Sequence, residues 1–392
     1  MKNYKVVMAV VPLVLLVISG VASFMFFSKS VAAPVEVLTE EEVVEEEGLL
    51  QVANLPKDQV CPLTGALFTL PEKESWETRR PLAVMIENSA EARPQSGLSN
   101  ADIVFELVAE GGITRFMALY YCDAQRDDVL LAPVRSARTY YINLASGFNL
   151  PMYVHVGGAN VDGPTNALGQ LADYGWNSEN DINQFSVGYP TFVRDYNRIP
   201  GKEVATEHTM VTSTEKLWAV ADKRDWTNIT PERKVGRTVI PAQEWSEDYQ
   251  GWTFAAGESK GKVSSIAYDF WSGMPAFSVK WDYDASTNTY LRSQGGEKHT
   301  DLNNGQQVAV SNVVVMYAKE TGPLNAEKHM MYDVIGQGKA LIFNNGEATE
   351  AQWSKKTRES ELEFTLKGEA YVFTAGSMWI SVLDIDNQPS YN

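Results

Sequence analysis

Between about residues 62 and 225 the chain alternates short apolar runs with glycine or charged punctuation. Arg80-Pro81-Leu82-Ala83-Val84-Met85-Ile86-Glu87 reads as a strand entered by a turn, because an unbroken apolar run of strand length suits a strand covered on both faces. Residues 103–108, 113–121 and 129–133 repeat that texture. Residues 139–148 predict a helix and 152–156 a strand running into Gly157-Gly158. A further helix is predicted over 165–174 from the spacing of Ala167, Leu168, Leu171 and Ala172. Thr212-Ser213-Thr214-Glu215 has the pattern of a capping box and opens a helix through Asp225. Strands alternating with helices predict a mixed α/β layered domain over 62–240.

From about Pro241 the pattern changes to short segments in which apolar and polar residues alternate: 264–270, 276–283, 289–293 and 307–317. Asn345-Gly346, after 339–343, is a hairpin signal that asks for positive φ. Lys367-Gly368, between 361–366 and 370–374, is a second, and 379–383 closes the series. Regular turns with few helical stretches predict a mainly-β module over 241–392. The expected fold class is therefore α+β, the layered domain first and the β module second.

The first residues read as an address. Lys2 and Lys5 precede an uncharged run from Val6 to Phe27, and Lys29 follows it. Its 22 residues suffice to cross a hydrocarbon core of about 30 Å as a helix, with the basic end inside. Ser30-Val31-Ala32 also resembles a small-x-small cleavage site, so two readings stand: a signal anchor over 1–33, or release after Ala32. Residues 34–61 carry Glu36, Glu40, Glu41, Glu42, Glu45, Glu46 and Glu47 with no basic residue before Lys57, which predicts an extended acidic tether. The expected location is the cell membrane, single-pass through residues 6–27, with the body extracytoplasmic.

The whole chain of 392 residues has a formal net charge of -17, so its field repels phosphate backbones and no nucleic-acid partner is expected. Only Cys61 and Cys122 occur, which excludes Cys-x-x-Cys metal sites and leaves one disulfide open on an oxidising side. No two histidines stand at metal-ligand spacing, and neither a metal nor a cofactor is expected.

The densest polar constellation lies in the first domain. It runs through Glu87 and Asn88 at a strand end, Arg93, Glu106, Glu110, Arg115, then Arg135, Ser136 and Arg138. Arginine offers a planar fork for carboxylate or phosphate, and α/β domains place ligands at strand ends beside Gly-rich turns. The same residues could instead tie strands together as partly buried ion pairs. His155, at the end of its strand before Gly157-Gly158, stands where a general base could sit. Ser-x-x-Lys occurs at Ser213–Lys216 and again in the loop at Ser259–Lys262, without a Lys-Thr-Gly partner, so it carries no weight.

These motifs resemble the YerB family of exported bacterial proteins. The resemblance rests on Arg80–Asn88, Ala92-Arg93-Pro94-Gln95-Ser96-Gly97-Leu98, Glu110-Gly111-Gly112-Ile113-Thr114-Arg115-Phe116, Pro133–Arg138 and His155–Gly158. Phe192-Val193-Arg194 and His208-Thr209-Met210-Val211-Thr212-Ser213 continue it, then Tyr290-Leu291-Arg292, His299-x-Asp301 and Asn312–Val315. The match spans roughly residues 62–385. It implies a two-domain extracytoplasmic protein, often lipid-anchored, and adds Arg194 and His208 to the candidate site. Two departures stand out: there is no lipobox cysteine, and Glu207-His208-Thr209 replaces the family's Pro-His-Asn.

The resulting expectation is a membrane-tethered binding module of the cell envelope, recognising a carboxylate-bearing cell-wall component or partner peptide. The alternative is an envelope hydrolase or transferase, with Glu87 or His155 as base and Arg115 or Arg138 stabilising developing negative charge.

Overall fold

The apolar runs of both halves assemble into one eleven-stranded sheet. In this computed structural model residues 55–235 and 237–392 are described. The predicted span 6–27 and the tether before residue 55 lie outside the described residues. Among those described, no helix is long and apolar enough to cross a membrane.

Numbered along the chain, the strands are β1 (Leu82–Glu87), β2 (Ile103–Glu110), β3 (Ile113–Tyr120), β4 (Met152–His155), β5 (Asp181–Asn183) and β6 (Asn312–Tyr317). Then follow β7 (Gly336–Asn344), β8 (Glu347–Lys355), β9 (Glu363–Leu366), β10 (Glu369–Ala370) and β11 (Met378–Leu383). Their order in space is β10-β9-β8-β7-β6-β11-β2-β3-β1-β4-β5. Strands from before and after residue 240 thus share one sheet. The junction is β11, which pairs in parallel with β6 on one side and with β2 on the other. Every residue of β1 and β11 is buried, which is why both read as unbroken apolar runs. The sheet ends in strands of two and three residues, β10 and β5, a common way to blunt an edge.

A second, six-stranded sheet contains Ser265–Tyr268, Val279–Asp284 and Thr289–Gln294. Along Thr289–Gln294 burial alternates, sending Tyr290, Arg292 and Gln294 inward. Mostly β with few helices, the body is of the α+β class. Both hairpin signals are realised: Asn345 and Gly346 have φ of 53° and 71°, Lys367 and Gly368 54° and 90°.

The predicted helices form as Thr139–Ala145, Ala167–Asp173 and Thr214–Lys223. The capping box at the last of these does not close. Asp128 from a distant loop accepts from the Glu215 backbone N–H at 3.0 Å and from the Ser213 hydroxyl at 2.9 Å. The Glu215 carboxylate turns instead to the Arg79 fork, at 2.7 and 2.9 Å, a charge-assisted bidentate pair stronger than one bond to a backbone N–H. Cys61 and Cys122 are joined as a disulfide.

Candidate functional site

Strands β1, β2, β4 and β5 run the same way, with β3 antiparallel between β2 and β1. Their carboxyl ends, and the start of β3, therefore meet at one edge of the sheet. Glu110 ends β2, Glu87 ends β1 and His155 ends β4, while Arg115 on β3 stands opposite Glu87. Residues 133–138 cross over this edge. The Arg135 N–H donates to Met85 O at 2.8 Å, Val156 N–H donates to Arg135 O at 3.0 Å, and Ala137 pairs with Gly158. The crossing brings Arg135, Ser136 and Arg138 to the strand ends.

Glu110 bridges two guanidinium groups, with Oε1 2.7 Å from Arg115 and Oε2 2.7 Å from Arg138. Burial would raise its pKa, but Arg115 and Arg138, with Arg135 beyond them, outweigh burial and hold it at about 2. Arg115 also donates to Ser136 O at 3.0 Å. Glu87 accepts from Ser89 at 3.0 Å and lies 2.9 Å from His208 Nδ1. Arg135 is different. Its Nε is 3.5 Å from Glu87, and among the described residues its guanidinium makes no hydrogen bond, although its side chain is 27% exposed. Three guanidinium groups pair with Glu87 and Glu110 here, and Glu207 also lies in the field of Arg135 and Arg194.

Asn88, Arg93 and Glu106 go elsewhere. Glu106 is fully buried, and Arg292 (2.7 Å), Trp379 (3.1 Å), Thr114 (2.9 Å) and Asn88 (3.3 Å) all donate to its carboxylate. Arg292 donates on to His299 Nδ1 at 2.6 Å, and His299 Nε2 lies 2.9 Å from Gln95 Oε1. An acceptor at Nδ1 and a donor at Nε2 describe a neutral ring. Burial, and then Arg292, push its pKa well below the usual histidine value. Gln95 closes the circuit by donating to Asn88 Oδ1 at 2.9 Å. Arg93 spends its guanidinium on Asn88 and on Ala276 O at 2.7 Å. Asp301 accepts from the backbone N–H groups of Gly97 and Ser99, at 3.0 and 2.8 Å. The His299-x-Asp301 motif thus holds the 95–99 turn, from far along the chain.

His155 is buried, with Nδ1 2.7 Å from Gly157 O and Nε2 2.6 Å from Asp181. Both ring nitrogens face acceptor oxygens, so neither is open to a substrate proton. Arg194 lies at the exposed margin, donating to Thr206 O at 2.5 Å.

Two neighbours of the site lie outside the predicted constellation. His329 pairs with Glu110 through an isolated bridge, and nothing in its loop signals this. Phe185, in the four-residue helix Gln184–Val187, is 76% exposed. Gly157 lies under it: a Cβ there would come within 2.9 Å of the Phe185 ring, and φ is +58°. Tyr189, four residues on, is 84% exposed.

Two family models match the chain: the N-terminal domain of the protein of unknown function DUF3048 over residues 63–227, and its C-terminal domain over 266–380. The chain is 29% identical over 340 residues to "Putative lipoprotein YerB" of Bacillus subtilis (strain 168), covering 86% of this chain and 89% of that one. The crystal structure of the YerB protein from Bacillus subtilis superposes with a TM-score of 0.65 at 26% identity, over 85% of this chain and 99% of that chain. The chain belongs to the DUF3048 family, the YerB-like proteins.

Proposed function

We propose that this protein is an extracytoplasmic, membrane-tethered binding module of the cell envelope whose sheet-edge arginines hold a carboxylate-bearing ligand, either a cell-wall fragment or a partner peptide. The membrane tether draws on the apolar run 6–27 and on the lipoprotein name of the relative. The observation that carries the binding reading is Arg135, a partly exposed guanidinium that among the described residues has a 3.5 Å ion-pair contact with Glu87 and no hydrogen bond. Behind it Glu110 fixes Arg115 and Arg138, so the local positive field does not wander with side-chain rotation. The exposed ring of Phe185, over Gly157, offers apolar contact near the strand ends. The binding reading is preferred to hydrolysis because His155 has both nitrogens engaged and the Glu87 carboxylate is taken up by Ser89 and His208.

Isothermal titration with soluble cell-wall fragments, run in parallel with the same fragments after their carboxylates are amidated, tests this. Binding of the acidic form alone is expected, weakened at least ~10-fold by Arg135→Ala through loss of a charge-assisted contact. Equal binding of both forms, or an Arg135→Ala variant that binds like the parent, would sink the reading.

A further inference from the structure

The carboxylate that ends β1 holds two side chains, one on each oxygen. Arg135 Nε stands 3.5 Å from Glu87 Oε1, and His208 Nδ1 lies 2.9 Å from Oε2. Both side chains are anchored at one end and free at the other. Among the described residues the two terminal nitrogens of Arg135 make no hydrogen bond, and neither is closed off from solvent. The same holds for His208 Nε2, although the residue is only 8% exposed. A carboxylate can only accept, so Nδ1 carries the hydrogen and the neutral ring presents a lone pair at Nε2. A buried ring held at one nitrogen and open at the other is a fixed acceptor. Glu207, next in the chain, adds a negative pole. It is exposed, and a backbone N–H, then His208, Arg135 and Arg194, hold its carboxyl below the usual range. No ion pair among the described residues includes Glu207, so the opposite charges feel each other yet stand apart.

Resting on the carboxylate-binding reading above, we infer that this edge recognises a zwitterion: a peptide-like ligand whose carboxylate meets Arg135 and whose ammonium meets His208 Nε2 and Glu207. A ligand with a carboxylate alone would bring its charge toward Glu207 and toward a ring nitrogen that offers no hydrogen. An ammonium supplies the donor that Nε2 lacks and the charge that Glu207 lacks. Because Glu87 anchors both the guanidinium and the imidazole, the fold sets the distance between the two poles. The site therefore selects for the separation of the ligand's charges as well as for their signs.

The test is titration calorimetry of the full chain with soluble cell-wall fragments in three forms: untreated, with amines acetylated, and with carboxylates amidated. Untreated fragments are expected to bind, and acetylation to weaken them at least ~10-fold. Glu207→Gln separates the two kinds of ligand by sign. Glu207 is exposed, so the substitution should leave the fold intact. For a carboxylate-only ligand it removes a repulsion and tightens binding. For a zwitterion it weakens the untreated fragments at least ~10-fold and leaves the acetylated ones bound as before or more tightly. The zwitterion assignment is overturned, with the carboxylate reading intact, if acetylated fragments bind like untreated ones. It is overturned equally if the Glu207→Gln variant binds untreated fragments as tightly as the parent. Absence of binding by every form, or weakening by acetylation but not by amidation, overturns both.

Discussion

The two polar clusters of this protein use the same residue types to opposite ends. Around Glu106 each carboxylate oxygen has two donors, Arg292 is fully buried, and the aromatic faces of Trp379 and Phe116 close over it. Around Glu110 each carboxylate oxygen has one guanidinium donor, and the neighbouring Arg135 has solvent beside it. What separates a structural network from a candidate site here is the access of water to a charged group, not the presence of arginine and glutamate. A buried ion pair tolerates no deficit, because removing one partner strands the other in low dielectric. A half-exposed cation tolerates one, because water serves it in the meantime.

The sharpest way to break that contrast is Arg292→Ala. Stranding Glu106 should cost about 3–5 kcal/mol in urea denaturation, while removing both charges in an Arg292→Leu, Glu106→Leu pair should recover most of it. A loss below about 1 kcal/mol would mean the core network is no tighter than the edge. Next comes acid. The Glu110 pKa is held near 2 against an ordinary 4.5, so its stabilisation is complete above pH 4.5 and is lost as pH falls toward 2. That lowering corresponds to on the order of 3 kcal/mol, and Glu110→Gln should flatten the stability profile in this window. Identical acid slopes in variant and parent would show that Glu110 is not an anchored partner. Arg135→Ala should then change stability by less than about 1 kcal/mol while weakening ligand binding, which is the behaviour expected of a site rather than a brace. Phe185→Ala should be smallest of all, within about 0.5 kcal/mol for an exposed side chain, with any effect confined to affinity.

Much of the fold was legible where burial is local. β1, β2, β3 and β11 announce themselves as continuous apolar runs, and the two hairpins follow from Asn345-Gly346 and Lys367-Gly368 because those turns require positive φ. The pairing of β11 with β2 was not legible: parallel neighbours distant in sequence leave no mark in either strand. The candidate constellation divides for the same reason. Glu87, Glu110, Arg115, Arg135, Ser136, Arg138 and His155 gather at the sheet edge, which strand-end reasoning anticipates, and His208, which only the family resemblance supplied, joins them. Glu106 belongs to the core because it meets Arg292 across the chain, and Asn88 and Arg93 follow it through their bonds. The capping motif at Ser213 was displaced by Asp128 and Arg79, partners that no local window contains. Phe185 escaped notice because a four-residue helix has too few positions to show a periodicity.

The place of β11 sets a schedule for the newborn chain. A strand made of residues 378–383 occupies the centre of the sheet, between β6 and β2, so the middle stays open until those residues have emerged. Until then β2 presents a bare apolar border that has to be shielded from other chains. Proteolytic or genetic loss of the last few dozen residues should therefore harm the 82–155 region as much as the segment removed, and should yield aggregates rather than a shortened but soluble protein.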